Sequence, residues 1–176
     1  MTASPATTPP PGAPVPDQRL ELLNPEELLV TAVYEGCFGC GQDHEAGLRF
    51  QRTSSDGQAV YGHFTVTESH QGSPGLAHGG LLATAMDEVL GPAAWNLGRM
   101  AVTGRLETDY RLPVPVGSVV HLKAWCTGVD GRKIYVQGEG RIGSPDGPIA
   151  VQAAALFLEV SPEHFSEKRE HFSGEH

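Results

Sequence analysis

Long apolar runs, basic clusters and cysteine are all scarce in this chain of 176 residues, and each scarcity excludes something. No stretch approaches the ~18 consecutive apolar residues that a membrane-spanning helix needs. The N-terminus has no basic region followed by an apolar stretch, so no secretory signal is expected and the cytoplasm is the expected location. Twelve Lys and Arg stand against 21 Asp and Glu, and no basic stripe interleaved with aromatics occurs. Nucleic acid is therefore not an expected partner. Three cysteines, Cys37, Cys40 and Cys126, are too few and of the wrong parity for a secreted disulfide scaffold. Reduced thiols are expected. Aromatics are only 7% of the chain.

The net charge of −9 is unevenly spread. Residues 1–36 hold five acids and one base, and residues 161–176 hold four acids and two bases. The middle is thus close to neutral, and a local basic patch for a phosphorylated ligand stays open. At 39% hydrophobic and 19% charged, the chain has an ordinary globular composition. Its length suits one core.

Residues 1–19 are rich in Pro, Thr and Ala and are expected to be a disordered tail. A short helix is expected within 20–36, with Asn24 as its cap and Pro25 in its first turn. The main domain spans 37–160, and 161–176 form a polar, acidic tail. Within the domain, the glycine-punctuated CFGCGQDHEAGLRF leads into a strand near Leu48–Arg52. Ser54–Gly57 reads as a hairpin turn, followed by a strand over 60–67. After the loop SHQGSPGLAHGG comes LLATAMDEVLGPAAWNL. There Leu82, Ala85, Met86, Val89 and Ala93 recur at helical spacing. Gly91–Pro92 is expected to bend or end that helix. Period-two patterning returns at 102–111, 118–129, 133–142 and 149–160, with turns at 129–132 and 144–147. One helix cannot cover both faces of such a sheet. A strongly curved antiparallel sheet wrapped round it solves the burial problem, an α+β arrangement.

Asp87 is the most informative residue, because it lies mid-helix in a segment otherwise built for burial. A carboxylate held from water is a frequent catalytic group, and a solvent-facing acid is the plain alternative. Glu88 competes with it, ~100° further round the helix, and spacing does not choose between them. HGG at 78–80 marks the helix start. Its glycines permit close backbone approach, and the first N–H groups of a helix have no internal acceptors. They suit a carbonyl oxygen that becomes an oxyanion. Gly79 and Asp87 are eight residues apart, so a continuous helix separates them by ~12 Å. If both act on one bond, they come from two copies of the chain across a two-fold axis.

These motifs resemble the PaaI-like branch of the hotdog-fold thioesterases. The resemblance rests on HGGLLATAMDEVL, preceded by HQGSPG and followed by VTGRLETDYRLPVPVGS, with CFGCGQDHEAGLRF in front, and it covers about 37–160. It implies a hotdog fold, homodimers often paired into homotetramers, and hydrolysis of an acyl-CoA substrate without metal or organic cofactor. It puts the family's acid on Asp87 and not Glu88, the oxyanion donor on Gly79, and a water-positioning threonine on Thr103. Asp87 would act as general base on water or as nucleophile, with water activation favoured. Regular pleating would set Thr103 on a charged face with Arg105, Glu107 and Asp109, so a bulge is needed for that role.

Relatives of this type carry an asparagine six residues before the HGG histidine; Gly72 stands there, and His70 or Gln71 would have to substitute. His78 either approaches the carbonyl or shapes the loop. Gly80 lies at the same helix start. Arg99, Arg132 and Lys133 are candidates for CoA phosphates, or are solvated charges. Leu81, Phe64, Trp95, Leu97 and Met100 are candidates for an acyl pocket. Cys37 and Cys40 form a CxxC, but a zinc site needs two further ligands and no second close pair exists, so no metal is expected. Two other readings stand beside the thioesterase. One is a non-catalytic acyl-CoA binder of the same fold. The other is a hydratase, which wants an Asp/His pair that is not assignable here.

Overall fold

The computed structural model of the chain describes residues 4–16, 35–55, 58–161 and 164. The expected helix within 20–36 falls almost wholly outside these residues, as does the C-terminal tail. Strands β1 (Gln51–Ser55) and β2 (Ala59–Thr65) come first, then a 3-10 turn at Glu68–His70 and helix α1 (Gly79–Trp95). Strands β3 (Ala101–Tyr110), β4 (Val119–Asp130), β5 (Lys133–Ile142) and β6 (Ile149–Glu159) follow. The six strands form one antiparallel sheet in the order β1-β2-β4-β5-β6-β3. α1 joins β2 to β3 and packs against β2 through β6. No described helix is long and apolar enough to cross a membrane.

The helical spacing of the apolar residues explains this arrangement. Leu82, Ala85, Met86, Val89, Leu90, Ala93 and Ala94 are all buried. They meet Val60, Phe64, Val120, Leu122, Val136, Val151 and Phe157 from the concave face of the sheet. Each large apolar side chain buried there contributes roughly 1.5–3 kcal/mol. β5 makes room for the helix with Gly138, where a Cβ would lie 3.0 Å from Met86 Cε.

Three expectations need correction. α1 does not end at Gly91–Pro92; it runs through both to Trp95. Pro92 removes only the N–H that Glu88 C=O would accept, one turn from the end, and burial of Leu90, Ala93 and Ala94 holds the helix together. The first strand starts at Gln51, later than expected. Leu48 and Phe50 instead donate their N–H groups to Phe38 and Gly39 carbonyls, at 2.8 and 2.9 Å, and so tie down the CxxC loop.

The third correction concerns the Pro-rich N-terminus. Residues 4–16 do not form a free tail but cross the outer face of the sheet. Thr7 is fully buried and donates to Glu107 Oε2 at 2.7 Å, and Ser4 N–H donates to the same oxygen at 3.0 Å. Ser4 Oγ also donates to Glu107 Oε1. Pro14 C=O accepts from Val129 N–H at 2.9 Å. Pro9 fits against Gly128, where a Cβ would come within 2.7 Å of the proline ring. Ala154, directly across from Glu107, is fully buried. Composition made the segment look unable to bury itself; it is ordered because the sheet supplies the surface.

The Ser4 and Thr7 donors hold the Glu107 carboxyl at about 2, below its ordinary 4.5. A depressed acid stabilises the fold above its unfolded value and loses that contribution as pH falls toward its folded value. The melting temperature of the wild type is therefore expected to fall more steeply than that of Glu107→Gln between pH 4.5 and about 2. Parallel melting curves for the two proteins across that window would refute the contact.

Candidate active site

The helix start is built by His78, which occupies the N-cap in an extended conformation (φ −69°, ψ 133°). Its Nδ1 accepts the Gly80 N–H at 2.9 Å, the role usually taken by Ser, Thr, Asn or Asp. In the neutral ring the proton then sits on Nε2. Gly80 N–H is thereby taken, which removes it as a second donor to a ligand. Gly79 N–H, the first of the helix, has no acceptor within the helix. Tyr110, at the far end of β3, donates its hydroxyl to Gly79 C=O at 2.9 Å. Its ring lies about 3.4 Å from where a Gly79 Cβ would be. Nothing in the local sequence around Tyr110 announced this contact.

Two turns further along α1, Asp87 is half-buried, and Thr103 Oγ1 donates to its Oδ1 at 2.8 Å. This contact depends on an irregularity in β3. Thr103 pairs with Phe157 but Arg105 pairs with Leu156, so Gly104 is an extra residue. The bulge reverses the pleat. Thr103 faces the helix, while Arg105, Glu107 and Asp109 face outward and form ion pairs along the outer surface, Arg105–Glu107 at 2.8 Å and Arg111–Asp109 at 3.3 Å.

Glu88 has a different environment. It reaches the CxxC loop, where Cys37 Sγ lies 3.7 Å from its Oε1. Burial pushes the Glu88 carboxyl up, contact with the Cys40 thiol pulls it partly back, and the neighbouring Asp87 charge pushes it up again. Burial and then the Glu88 charge push the Cys40 thiol well above the ordinary thiol range. The two adjacent acids, which spacing left tied, thus have separate partners. Asp87 belongs with Thr103, and Glu88 with Cys37 and Cys40.

His70 has no ring nitrogen free to take the place of the missing asparagine, and Gln71 turns its amide oxygen into its own loop. His70 is 1% exposed; its Nδ1 accepts from Thr67 N–H at 3.0 Å, and its Nε2 lies 3.2 Å from Gly47 C=O. Those partners assign the proton to Nε2 and use both nitrogens. Gln71 Oε1 accepts from Gly75 N–H at 2.6 Å. At Gly72 a Cβ would lie 2.9 Å from His78 Cα, so this backbone has no room for the asparagine. Arg132 and Lys133 sit in the β4–β5 hairpin, where neither side chain bonds another described residue. Arg99, nearby, is held by Gly131 C=O and Glu159. Within one chain, then, Asp87 and Thr103 come together, Gly79 and Tyr110 come together, and the two pairs are two turns of helix apart.

Residues 74–148 match the family described as Thioesterase superfamily. An acyl-coenzyme A thioesterase, THEM4 of Xenopus laevis, is 34% identical over 92 residues, which cover 52% of this chain and 41% of that protein. This chain thus spans about two-fifths of the length of the curated relatives it matches first. A solved thioesterase superfamily protein shares 35% identity at a TM-score of 0.57, covering 62% of this chain and 55% of that one. The PaaI protein of E. coli, from the phenylacetic acid degradation operon, is 18% identical at a TM-score of 0.60, covering 65% and 81%. The sheet curved round one helix is the hotdog fold.

A purely structural role for His70 has a measurable consequence. His70→Leu leaves the buried Gly47 C=O unpaired, at roughly 1–3 kcal/mol, and takes the acceptor from the part-buried Thr67 N–H. Urea unfolding is expected to show a loss of about 1–4 kcal/mol. An unchanged unfolding midpoint would mean that the ring is not the tie between the 3-10 turn and the CxxC loop.

Proposed function

We propose that this chain is a member of the thioesterase superfamily that residues 74–148 match, and that it hydrolyses an acyl-CoA thioester to a carboxylic acid and CoA within a homodimer that shares its two sites. The observation that carries the reading is the Thr103–Asp87 hydrogen bond at 2.8 Å, made possible by a bulge at Gly104. Thr103 holds one carboxylate oxygen and leaves the other to take a proton from water. The water oxygen attacks the thioester carbon, and the carbonyl oxygen becomes an oxyanion. Gly79 N–H of the partner subunit, at the positive end of its helix, stabilises that charge. The carbon–sulfur bond then breaks, and the thiolate takes the proton back from Asp87. Preorganised donors of this kind are each worth ~10²–10³ in rate.

The shape of the chain supports a dimer. β3 is an end strand of the sheet, ten residues long, and has no partner on its outer edge among the described residues. Among the described residues, three of the four exposed large apolar side chains, Met100, Tyr110 and Leu112, lie in it or just beyond its ends. α1 runs opposite to β3, with Gly79 at the Tyr110 end and Asp87 at the Thr103 end. Antiparallel pairing of two β3 edges brings the Tyr110 end of one copy to the Thr103 end of the other. That joins the half-sites that ~12 Å of helix keeps apart in one chain.

Two variants test this. Asp87→Asn still accepts the Thr103 hydroxyl and is expected to lose at least roughly a hundredfold in free-thiol release across an acyl-CoA panel. Gly79→Pro removes the proposed oxyanion donor. Proline is tolerated at a first helical position, and His78 already has the extended backbone that precedes proline. A loss of ~10²–10³ is expected. Refolding the two inactive variants together should return roughly a quarter of wild-type activity, because half the dimers are mixed and each has one intact site. No recovery on mixing would exclude sharing. Tight binding of acyl-CoA with no thiol release by the wild type would instead favour the non-catalytic binder.

A further inference from the structure

The fold brings Cys37, Cys40 and Glu88 together, three residues that the proposed hydrolysis does not use. Their ligand atoms all lie within 4.8 Å of one another, and all three side chains are half-buried. From this geometry we infer a metal site for one thiophilic divalent cation of the Zn²⁺ class, held by two thiolates and one carboxylate. The inference is independent of the thioesterase reading.

The loop is shaped for such a group. Gly41 N–H donates to Cys37 C=O at 2.9 Å, closing the turn that carries both sulfurs. The hydrogen bonds from Leu48 and Phe50 hold the middle of that turn, so the sulfurs are not on a free segment. The carboxylate comes from the middle of α1, between the buried Met86 and Val89. Gly39 is what lets it in: a Cβ there would lie 1.9 Å from Glu88 Oε1 and 2.2 Å from its Cδ.

Distances fit the size of the ion. Zinc–sulfur bonds of ~2.3 Å and zinc–oxygen bonds of ~2.0–2.2 Å at tetrahedral angles put donor atoms roughly 3.5–3.8 Å apart. The present spacing needs to contract by only about an ångström. Two thiolates select Zn²⁺ over Mg²⁺ and Ca²⁺, and iron–sulfur clusters ask for four thiolates. On binding, two thiol protons and any carboxyl proton are released to solvent, and no redox change occurs. A fourth position is left for water. The ion would pin the CxxC loop to the turn of α1 that also carries Asp87.

The full chain, reduced and stripped with a chelator, is titrated with Co²⁺ and Zn²⁺. One equivalent of Co²⁺ is expected to give the intense sulfur-to-cobalt absorption of a tetrahedral thiolate site, which Zn²⁺ then displaces. Zn²⁺ should raise the melting temperature. Cys37→Ser and Cys40→Ser should abolish the band, and Glu88→Gln should weaken binding at least roughly tenfold, the floor seen for lesser changes around metal sites. Cys126→Ala, whose thiol is buried beside Gly128, should bind as the wild type does. The inference is overturned if the wild type gives no sulfur-to-cobalt band. It is also overturned if the double cysteine variant binds Zn²⁺ as tightly as the wild type, since the ion would then sit elsewhere, for instance on the neighbouring His63 and His121.

Discussion

One helix must cover the concave face of the curved sheet from β2 to β6, and most of the structure follows from that constraint. The sheet has to curve, and the helix has to be apolar over most of its circumference. Met86, Val89 and Leu90 have no exposure at all. Only a narrow strip of α1 can carry charge, and that strip bears Asp87 and Glu88. Because both acids sit where water is partly excluded, each needs a partner. The two partners define two separate polar regions on one turn of helix.

The first partner required a local exception to strand geometry. A regular strand would have set Thr103 among the outward charges. The single extra residue at Gly104 moves it to the helix side and leaves Arg105, Glu107 and Asp109 outside. The same strand ends at Tyr110, over the helix start, and its outer edge has no partner among the described residues. β3 therefore touches α1 at both places, at Asp87 through Thr103 and at Gly79 through Tyr110.

The second partner comes from the loop that opens the domain, ahead of its first strand. The CxxC loop is fastened by backbone bonds to residues 48 and 50 and reaches α1 through Glu88. The Pro-rich segment 4–16 is likewise fastened, to the outer face through Glu107 and Val129. Both segments lack an apolar pattern of their own. Their order comes from backbone and side-chain hydrogen bonds to surfaces that the sheet and helix provide.

Periodicity made the core legible. The helical spacing of Leu82, Ala85, Met86, Val89 and Ala93, and the alternation in five later or flanking strands, are local properties read along the chain. Resemblance to a family carried the reading of Asp87 over Glu88. The reach of α1 past Pro92, the bulge at Gly104, the capture of His70 by Gly47 and the meeting of Cys37, Cys40 and Glu88 were not legible. Each joins residues from 16 to about 50 positions apart, or depends on burial against them. Sequence alone determined which residues are apolar and at what spacing, hence which elements form and which faces they bury, because those are short-range effects of backbone geometry. Only the tertiary structure decided which polar groups meet, because the partner of a half-buried acid or thiol is set by the direction in which distant strands and loops arrive.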